Sequence, residues 1–262
     1  MSGPHSLFWV TGSDAVGFLG SLVSQDVAGM EPGSGALSFL LHPQGKIDHI
    51  LWLLRDEERV GVVVESHRLE ACIAALRRFR IRVDADFEVD ERPLHARWDT
   101  GEALGWGDDG GLFTASIALR GHRLSWTTEA GTTDADAYLA GRIAAGLPSV
   151  PVDVDDSTIP EESGLVPHAV SFTKGCYLGQ ELVARIDSRG HVNRRLVRLS
   201  INGEAVPGPV TVDGTEVGSL TSVVSSPAGS LGLATVHRTV EAGVRVEVSG
   251  STATVISLDG EA

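Results

Sequence analysis

The densest set of reactive side chains lies between Ser171 and Gly190, in the run SFTKGCYLGQELVARIDSRG. Gly175 and Gly179 flank residues 176–178, so the backbone there can turn sharply or approach a ligand closely. We therefore expect Cys176 to lie at a turn, with part of its surface exposed. The alternative is a small buried thiol, since free cysteine is among the most buried residue types. The many polar neighbours favour a site, because such residues are costly around a buried apolar group.

The surroundings of Cys176 also favour its ionised form. Residues 180–186 have an apolar pattern that fits a short helix or a strand, and we favour the helix. If its first turn starts between Tyr177 and Gln180, Cys176 lies near the positive end of the helix dipole. Lys174 and Arg185 add positive charge, and positive surroundings lower the pKa of a thiol.

Composition narrows the class of protein. The 262 residues are 42% hydrophobic and 21% charged, which is typical of a globular chain with two or three lobes. A net charge of -14 argues against a general nucleic-acid surface. Two cysteines far apart, Cys72 and Cys176, make neither a disulfide framework nor a metal-ligand set. With no long apolar run and no secretory leader pattern, we predict a cytoplasmic protein without a membrane partner.

The first half of the chain reads as alternating strands and helices. Residues 7–10 fit a strand, followed by a helix that Ser13 or Asp14 caps. Residues 36–41 and 47–54 fit a hairpin around a turn at 42–46, and residues 60–65 fit a buried strand. After Ser66 as a cap, a helix is predicted from an apolar stripe of Leu69, Cys72, Ile73, Leu76 and Phe79.

Four arginines gather at the end of that helix: Arg77, Arg78, Arg80 and Arg82. A helix C-terminus attracts positive charge, so a solvated face is the simpler interpretation. The alternative is an anion site, for the carboxylates of a ligand or for RNA phosphate. The next residues, 81–89, alternate with the period of a half-buried strand.

The second half predicts a helix over 135–146 and then a β-rich region. Its apolar runs are 196–200, 210–212, 216–221, 231–236, 244–248 and 252–256, with turn residues between them. This spacing is typical of a small barrel. We place the linker near Arg195.

The run Lys174 to Glu181, KGCYLGQE, resembles the KGCYxGQE signature of the YgfZ family of folate-binding proteins. That family is related to the T-protein, the aminomethyltransferase of the glycine cleavage system. Residues 12–27, 142–148 and 189–190 also resemble passages of this family. The resemblance implies an α+β fold with a multi-lobed cloverleaf arrangement. It places a folate-binding region of two lobes at 1–195 and a C-terminal β-barrel at 196–262.

The resemblance also implies a cofactor, tetrahydrofolate or a one-carbon derivative, in a central cavity. Glu162 matches the T-protein glutamate that binds the pterin, and a carboxylate can accept two parallel N–H bonds from such an edge. The cysteine loop is expected to face this cavity. The expected binding residues are Glu162, Asp48, Lys174, Tyr177, Gln180, Glu181 and Arg185.

One departure from the T-protein concerns its chemistry. The T-protein has an acidic pair after its hairpin turn, and the matching dipeptide here is Asp48-His49. At most one carboxylate is kept, which places aminomethyl transfer in doubt.

The family implies a role in assembly or repair of iron-sulfur clusters, including those of tRNA-modifying enzymes. In that hypothesis Cys176 is the reactive group, folate is a cofactor or formaldehyde acceptor, and the partners are iron-sulfur client or assembly proteins. The alternatives are a folate-dependent aminomethyl or methyl transferase, and a non-catalytic folate-binding adaptor.

Overall fold

The computed structural model describes residues 3–190 and 192–259, with the side chains of 187–189 excluded. Its larger part is built on an eight-stranded antiparallel sheet in the order β2-β3-β4-β1-β5-β8-β7-β6. The strands are β1 His5–Thr11, β2 Gly35–Leu41, β3 Ile47–Arg55, β4 Val60–Glu65, β5 Asp86–Thr100, β6 Gly105–Asp109, β7 Leu112–Leu119 and β8 His122–Thr127. The long β5 pairs with β1 at its start and with β8 at its end, and so joins the two halves of the sheet.

Among the residues that the structure describes, five α-helices pack around this sheet: α1 Ala15–Leu22, α2 Leu69–Arg77, α3 Ala135–Ala144, α4 Val166–Ala169 and α5 Gln180–Arg189. Short 3-10 helices span Ser66–Arg68 and Pro160–Ser163. Ser66 therefore opens a 3-10 turn, and Arg68 occupies the cap position of α2. In the described ranges no helix combines the length and the apolarity needed to cross a bilayer.

The predicted helix and strand around residue 80 both differ from the structure. Helix α2 ends at Arg77, so Phe79 lies beyond it and is 37% exposed. Strand β5 begins at Asp86, five residues after the predicted start at Ile81. The cause is a long-range contact, because Asp84 N donates to Asp14 Oδ2 and Asp14 N donates to Asp84 O. These bonds hold the segment before β5 against the start of α1.

The C-terminal part is a closed six-stranded barrel in the order β10-β11-β12-β9-β14-β13. Its strands are β9 Arg194–Ile201, β10 Gly208–Val212, β11 Thr215–Ser226, β12 Gly229–His237, β13 Arg245–Val248 and β14 Ser251–Ile256. Each contains one of the six predicted runs, except that β13 starts one residue later than its run. The barrel has its own core of valine, leucine, isoleucine and alanine side chains. The division of the chain into domains at residue 195 stays a prediction.

Strand β3 separates two cores. Ile50, Trp52 and Leu54 point to one side, where they meet residues of β5, β7, β8 and the segment 145–183. Leu51 and Leu53 point to the other side and pack against α1 and α2. A strand buried on both faces explains why the run ILWLL shows no polar alternation.

An aromatic group around His5 fills the first of these cores. The His5 ring lies edge-on to Trp52, Trp126 and Tyr138, with centroid distances of 4.8 to 5.7 Å. Trp126 Nε1 donates to His5 Nδ1 at 3.1 Å, so the ring proton belongs on Nε2, 3.1 Å from the Tyr138 hydroxyl. Burial lowers the pKa of His5 to about 3.

The neutral His5 ring should make stability depend on pH. Its pKa is about 3 in the folded chain and 6.5 when unfolded, so the unfolded state binds more protons between these values. We expect the contribution to be complete above pH 6.5 and to be lost on acidification, by up to about 1.4 kcal/mol per pH unit. The free energy of unfolding, measured by urea titration at several pH values, should fall less steeply with decreasing pH for His5→Gln than for the native chain. Identical slopes would contradict the assignment.

A buried ion pair joins the sheet region to the barrel. Arg142 of α3 and Asp153 are both buried, with Arg142 Nη1 2.5 Å from Asp153 Oδ2. Arg142 Nη2 donates to Ser222 Oγ of β11 at 2.7 Å, and Ser222 Oγ donates to Asp153 Oδ1 at 2.7 Å. Ser149 N also donates to Asp153 Oδ2 at 3.0 Å. Both charges, on Arg142 and on Asp153, therefore have hydrogen-bond partners.

Asp153→Asn should be severely destabilising, because it leaves the Arg142 guanidinium buried without a counter-charge. We expect the free energy of unfolding to fall by about 3–5 kcal/mol. Asp86→Asn is the matched control, since Asp86 and its partner Arg80 are both exposed. That variant should lose less than about 1 kcal/mol. Equal losses in urea titrations of the two variants would show that burial does not set the cost.

Candidate functional site

The loop that contains Cys176 lies along the C-terminal end of α1. Ser171 N donates to Ser24 O at 3.0 Å, and Leu178 N donates to Ser21 O at 3.1 Å. Ser24 Oγ also donates to Ala169 O at 2.6 Å, just before the loop. Backbone bonds therefore fix both ends of residues 171–178 to one helix end.

Lys174 anchors the middle of the loop. Its ammonium donates to the carbonyls of Gly20, Val23 and Gln25 at 2.6, 2.7 and 2.8 Å. Gly20 lies in the last turn of α1, Val23 is its C-cap and Gln25 lies just beyond it. Carbonyls at a helix end lack intrahelical partners, and cations are favourable there. Burial lowers the pKa of Lys174 to about 8, partly opposed by the nearby Asp26 carboxylate. The group thus remains mostly protonated at neutral pH.

Two glycines allow the loop to meet the β2–β3 turn. Gly45 and Gly179 have φ of +80° and +77°, which other residues rarely adopt. A Cβ on Gly179 would lie 2.5 Å from His42 O, and one on Gly45 would lie 2.5 Å from Leu182 Cβ. The backbones of loop and turn are therefore in direct contact.

Cys176 is exposed, just ahead of α5. The predicted helix is confirmed, and it begins at Gln180. Gln180 turns its side chain back to the loop, where Oε1 accepts a bond from Tyr177 N at 3.2 Å. Tyr177 is half-buried, which raises its pKa to about 12. Lys174 directs its three N–H donors to carbonyls of α1 and just beyond it. The positive charge that was predicted beside Cys176 is therefore bound to the end of α1.

The other predicted residues on α5 face solvent. Glu181 lies in the first turn and Arg185 in the second, and both are exposed. The second cysteine, Cys72, is buried in α2, and burial raises the pKa of its thiol. Of the two thiols in the sequence, Cys176 is the accessible one.

Asp48 lies at the start of β3 beside three basic groups. Its Oδ1 is 3.0 Å from His49 Nδ1, 3.4 Å from Arg68 Nη2 and 3.8 Å from His42 Nε2. Partial burial raises the pKa of this carboxyl, but the contact with His49 and the neighbouring charges outweigh it and the pKa is lowered. His49 is buried, and neither ring nitrogen makes a well-directed hydrogen bond with a described residue.

Glu162 lies in the 3-10 helix Pro160–Ser163, against which α5 packs. Its Oε2 accepts a bond from Ile159 N at 3.3 Å, and its Oε1 is 3.6 Å from Arg194 Nε of β9. The carboxylate, 11% exposed, lines a cavity of about 190 Å³ between residues 151–162 and the barrel. It keeps free lone pairs on this side, because a carboxylate has about four acceptor positions.

The β2–β3 turn connects these parts. Ile47 N donates to Thr158 O at 2.9 Å, and Lys46 Nζ donates to Ser157 O. The turn thus touches the cysteine loop through Gly45 and the segment before Glu162 through Ile47. The α1 carbonyls, Arg68 and Arg194 were not predicted, since their contacts join residues far apart in sequence.

Comparison with known proteins supports this organisation, although no family model matches the chain. The iron-sulfur cluster assembly factor IBA57 homolog, mitochondrial, of Mycosarcoma maydis is 28% identical over 241 residues. The match covers 80% of this chain and 59% of that protein, so the chain spans less than two thirds of this relative. The tRNA-modifying protein YgfZ of Yersinia pestis is 40% identical over 75 residues, 28% of this chain and 23% of YgfZ.

The fold has a solved counterpart. The crystal structure of glycine cleavage system aminomethyltransferase T from Bartonella henselae matches with a TM-score of 0.84 and 19% identity. The match covers 98% of this chain and 84% of the aminomethyltransferase. The predicted α+β fold with a C-terminal barrel is therefore confirmed.

Lys174→Met should loosen the cysteine loop, because it removes three donors from carbonyls at the end of α1. We expect the free energy of unfolding to fall by about 2–4 kcal/mol and the amide of Leu178 to exchange faster with solvent. Lys46→Met is the matched control, since Lys46 donates to a single carbonyl, that of Ser157. Hydrogen exchange at Leu178 that is unchanged in Lys174→Met would contradict the anchoring role.

Proposed function

We propose that this chain, which is similar in sequence to IBA57 and YgfZ and in fold to an aminomethyltransferase, acts in iron-sulfur cluster assembly or repair. Its clients would include enzymes of tRNA modification. The names of the relatives, an iron-sulfur cluster assembly factor and a tRNA-modifying protein, support this role. A cytoplasmic location fits such clients and stays a prediction.

The exposed thiol of Cys176 on an anchored loop carries this proposal. A thiolate is both a ligand for iron and a nucleophile, and clusters are commonly held by several cysteines. The present residues supply one exposed thiol. We therefore propose that Cys176 meets cluster or client atoms on the surface of the protein, while the hydrogen bonds that anchor its loop limit its movement.

We further propose that tetrahydrofolate or a one-carbon derivative binds nearby. Glu162 would hold the pterin, since its carboxylate retains acceptor positions on a cavity. At about 190 Å³ this cavity fits a ring-sized group and falls below the range of about 300–1,000 Å³ for larger ligands. The folate tail would therefore extend along the surface. The remaining proposed contacts are Asp48, Tyr177, Gln180, Glu181 and Arg185, and Lys174 would act through the loop that it anchors. Bound tetrahydrofolate would supply the capacity to carry a one-carbon unit.

Two other functions stay as alternatives. A folate-dependent aminomethyl or methyl transferase needs an acid or base at the one-carbon unit, and Asp48 is the candidate. Its carboxyl has a lowered pKa and three basic neighbours, which favours a fixed negative charge over proton transfer. A non-catalytic folate-binding adaptor would need neither Asp48 nor Cys176.

Replacement of the two cysteines separates these functions. In cells that lack this protein, we expect Cys176→Ser to restore little activity of an iron-sulfur enzyme that modifies tRNA. Cys72→Ala is the matched control and should restore it, since Cys72 is buried in α2. Full restoration by Cys176→Ser would favour the adaptor, and turnover of tetrahydrofolate with a methylamine donor would favour the transferase.

Calorimetric titration tests the folate proposal. We expect tetrahydrofolate and its 5-formyl form to bind with micromolar affinity, and Glu162→Ala to weaken binding at least about tenfold. Glu161→Ala, one residue away, is the control. If the native chain binds neither folate, the cofactor proposal is wrong, and the role of Cys176 is then tested separately by the replacements above.

A further inference from the structure

We propose that the groove between α1 and residues 79–83 binds an acidic, apolar peptide segment of the client protein. This inference rests on the proposed function, since it names the place where a client is held beside Cys176. The groove has a volume of about 410 Å³, and its lining includes Asp14, Gly17, Phe18, Ser21, Phe79 and Val83.

The groove combines an apolar surface with room for side chains. Phe18 is buried beneath it, while Phe79 is 37% exposed at one wall. On the α1 side, a Cβ on Gly17 would meet no atom within 4 Å. Ile81, next to this wall, is 74% exposed. Exposed apolar side chains beside a groove offer a partner apolar surface to cover.

Four arginines are close neighbours of Phe79, Ile81 and Val83 in the sequence. Arg77, Arg78, Arg80 and Arg82 are all exposed, in a chain whose net charge is -14. Arg80 pairs with Asp86 at 2.6 Å, and Arg77 lies over the Phe87 ring at 5.7 Å. Within residues 3–190 and 192–259, Arg78 and Arg82 have no carboxylate within 4.0 Å.

The nearby acids are already used inside the protein. Asp84 Oδ2 accepts bonds from Ser13 N and Ser13 Oγ at 3.0 and 2.8 Å. Asp14 Oδ2 accepts the bond from Asp84 N at 2.9 Å. These contacts leave Arg78 and Arg82 available to carboxylates from outside, which they can bind in a bidentate geometry.

The groove leads to the cysteine loop. Ser21 lines the groove, and its carbonyl accepts the bond from Leu178 N. Gly20, one residue earlier on α1, gives its carbonyl to Lys174. A segment bound along α1 would therefore end beside the loop that presents Cys176.

An apolar groove with exposed arginines nearby favours a protein partner over a polyanion. RNA and anionic membranes are extended negative surfaces, which a chain of net charge -14 repels as a whole. A peptide brings a few carboxylates to Arg78 and Arg82 and places apolar side chains against Phe18 and Phe79. Opposite charges across such an interface also guide the encounter of the two proteins.

Fluorescence anisotropy with a labelled peptide of alternating Glu and Leu tests this proposal. We expect saturable, salt-sensitive binding, and no binding of the same peptide with Lys in place of Glu. The double variant Arg78→Glu, Arg82→Glu should weaken binding about tenfold. Arg245→Glu, an exposed arginine on the barrel, should leave it unchanged. Equal binding of the lysine peptide, or tighter binding of polyuridine or phosphatidylserine vesicles, would overturn the proposal.

A second variant fills the groove without disturbing the core. Gly17→Leu places a side chain in open space and should weaken the Glu-Leu peptide about tenfold, with an unchanged or raised melting temperature. Gly208→Leu on the barrel is the matched control, because its Cβ also meets no atom within 4 Å. Full affinity in Gly17→Leu would overturn the proposal. Cys176→Ser should keep the peptide affinity, so failure of the groove and failure of the cysteine function are distinguishable.

Discussion

The buried pair of Arg142 and Asp153 is the contact on which the arrangement of the two halves depends. Moving two opposite charges out of water is costly, and the cost is offset only when both groups are also hydrogen-bonded. Here β11 supplies Ser222, and the segment before Asp153 supplies Ser149 N. Since Asp153 also lines the cavity of Glu162, the same pair that positions the barrel shapes the candidate folate site.

Helix α1 has the corresponding role for the cysteine loop. Its C-terminal carbonyls bind Lys174, while Gly17 and Ser21 line the groove. A short helix of eight residues is marginal alone, and most of its stability comes from the packing of Phe18 and Leu19. The loop and the groove are thus both supported by the core between α1, α2 and the sheet.

Local sequence patterns were enough to predict much of the fold. The β2–β3 hairpin, β4 and the barrel strands follow from apolar runs with turn residues between them, which act over a few residues. The loop glycines also indicated the close approach seen at Gly179. The error at residues 79–85 has a different origin, since the bonds between Asp14 and Asp84 join positions 70 apart. The spacing of apolar residues in a local segment cannot predict such a contact.

At the candidate site, the sequence was enough to single out the candidate residues but not to predict the residues that contact them. The exposed Cys176 and the helix that follows it were predicted from composition and spacing. The resemblance to a family singled out Glu162, while its neighbour Arg194 comes from the barrel. The partners of Lys174 are backbone carbonyls, which every sequence contains, so their selection depends on the folded position of α1.

The carbonyl contacts of Lys174 also bear on covalent modification. The sequence has two lysines, Lys46 and Lys174, and both donate to backbone carbonyls. Acetylation of Lys174 would remove its charge and two of its three donors, and the acetyl group would have no room among the carbonyls of Gly20, Val23 and Gln25. An acetyltransferase or an amine-reactive reagent acting on this side chain would therefore free the middle of the cysteine loop, while the backbone bonds of Ser171 and Leu178 still hold its two ends.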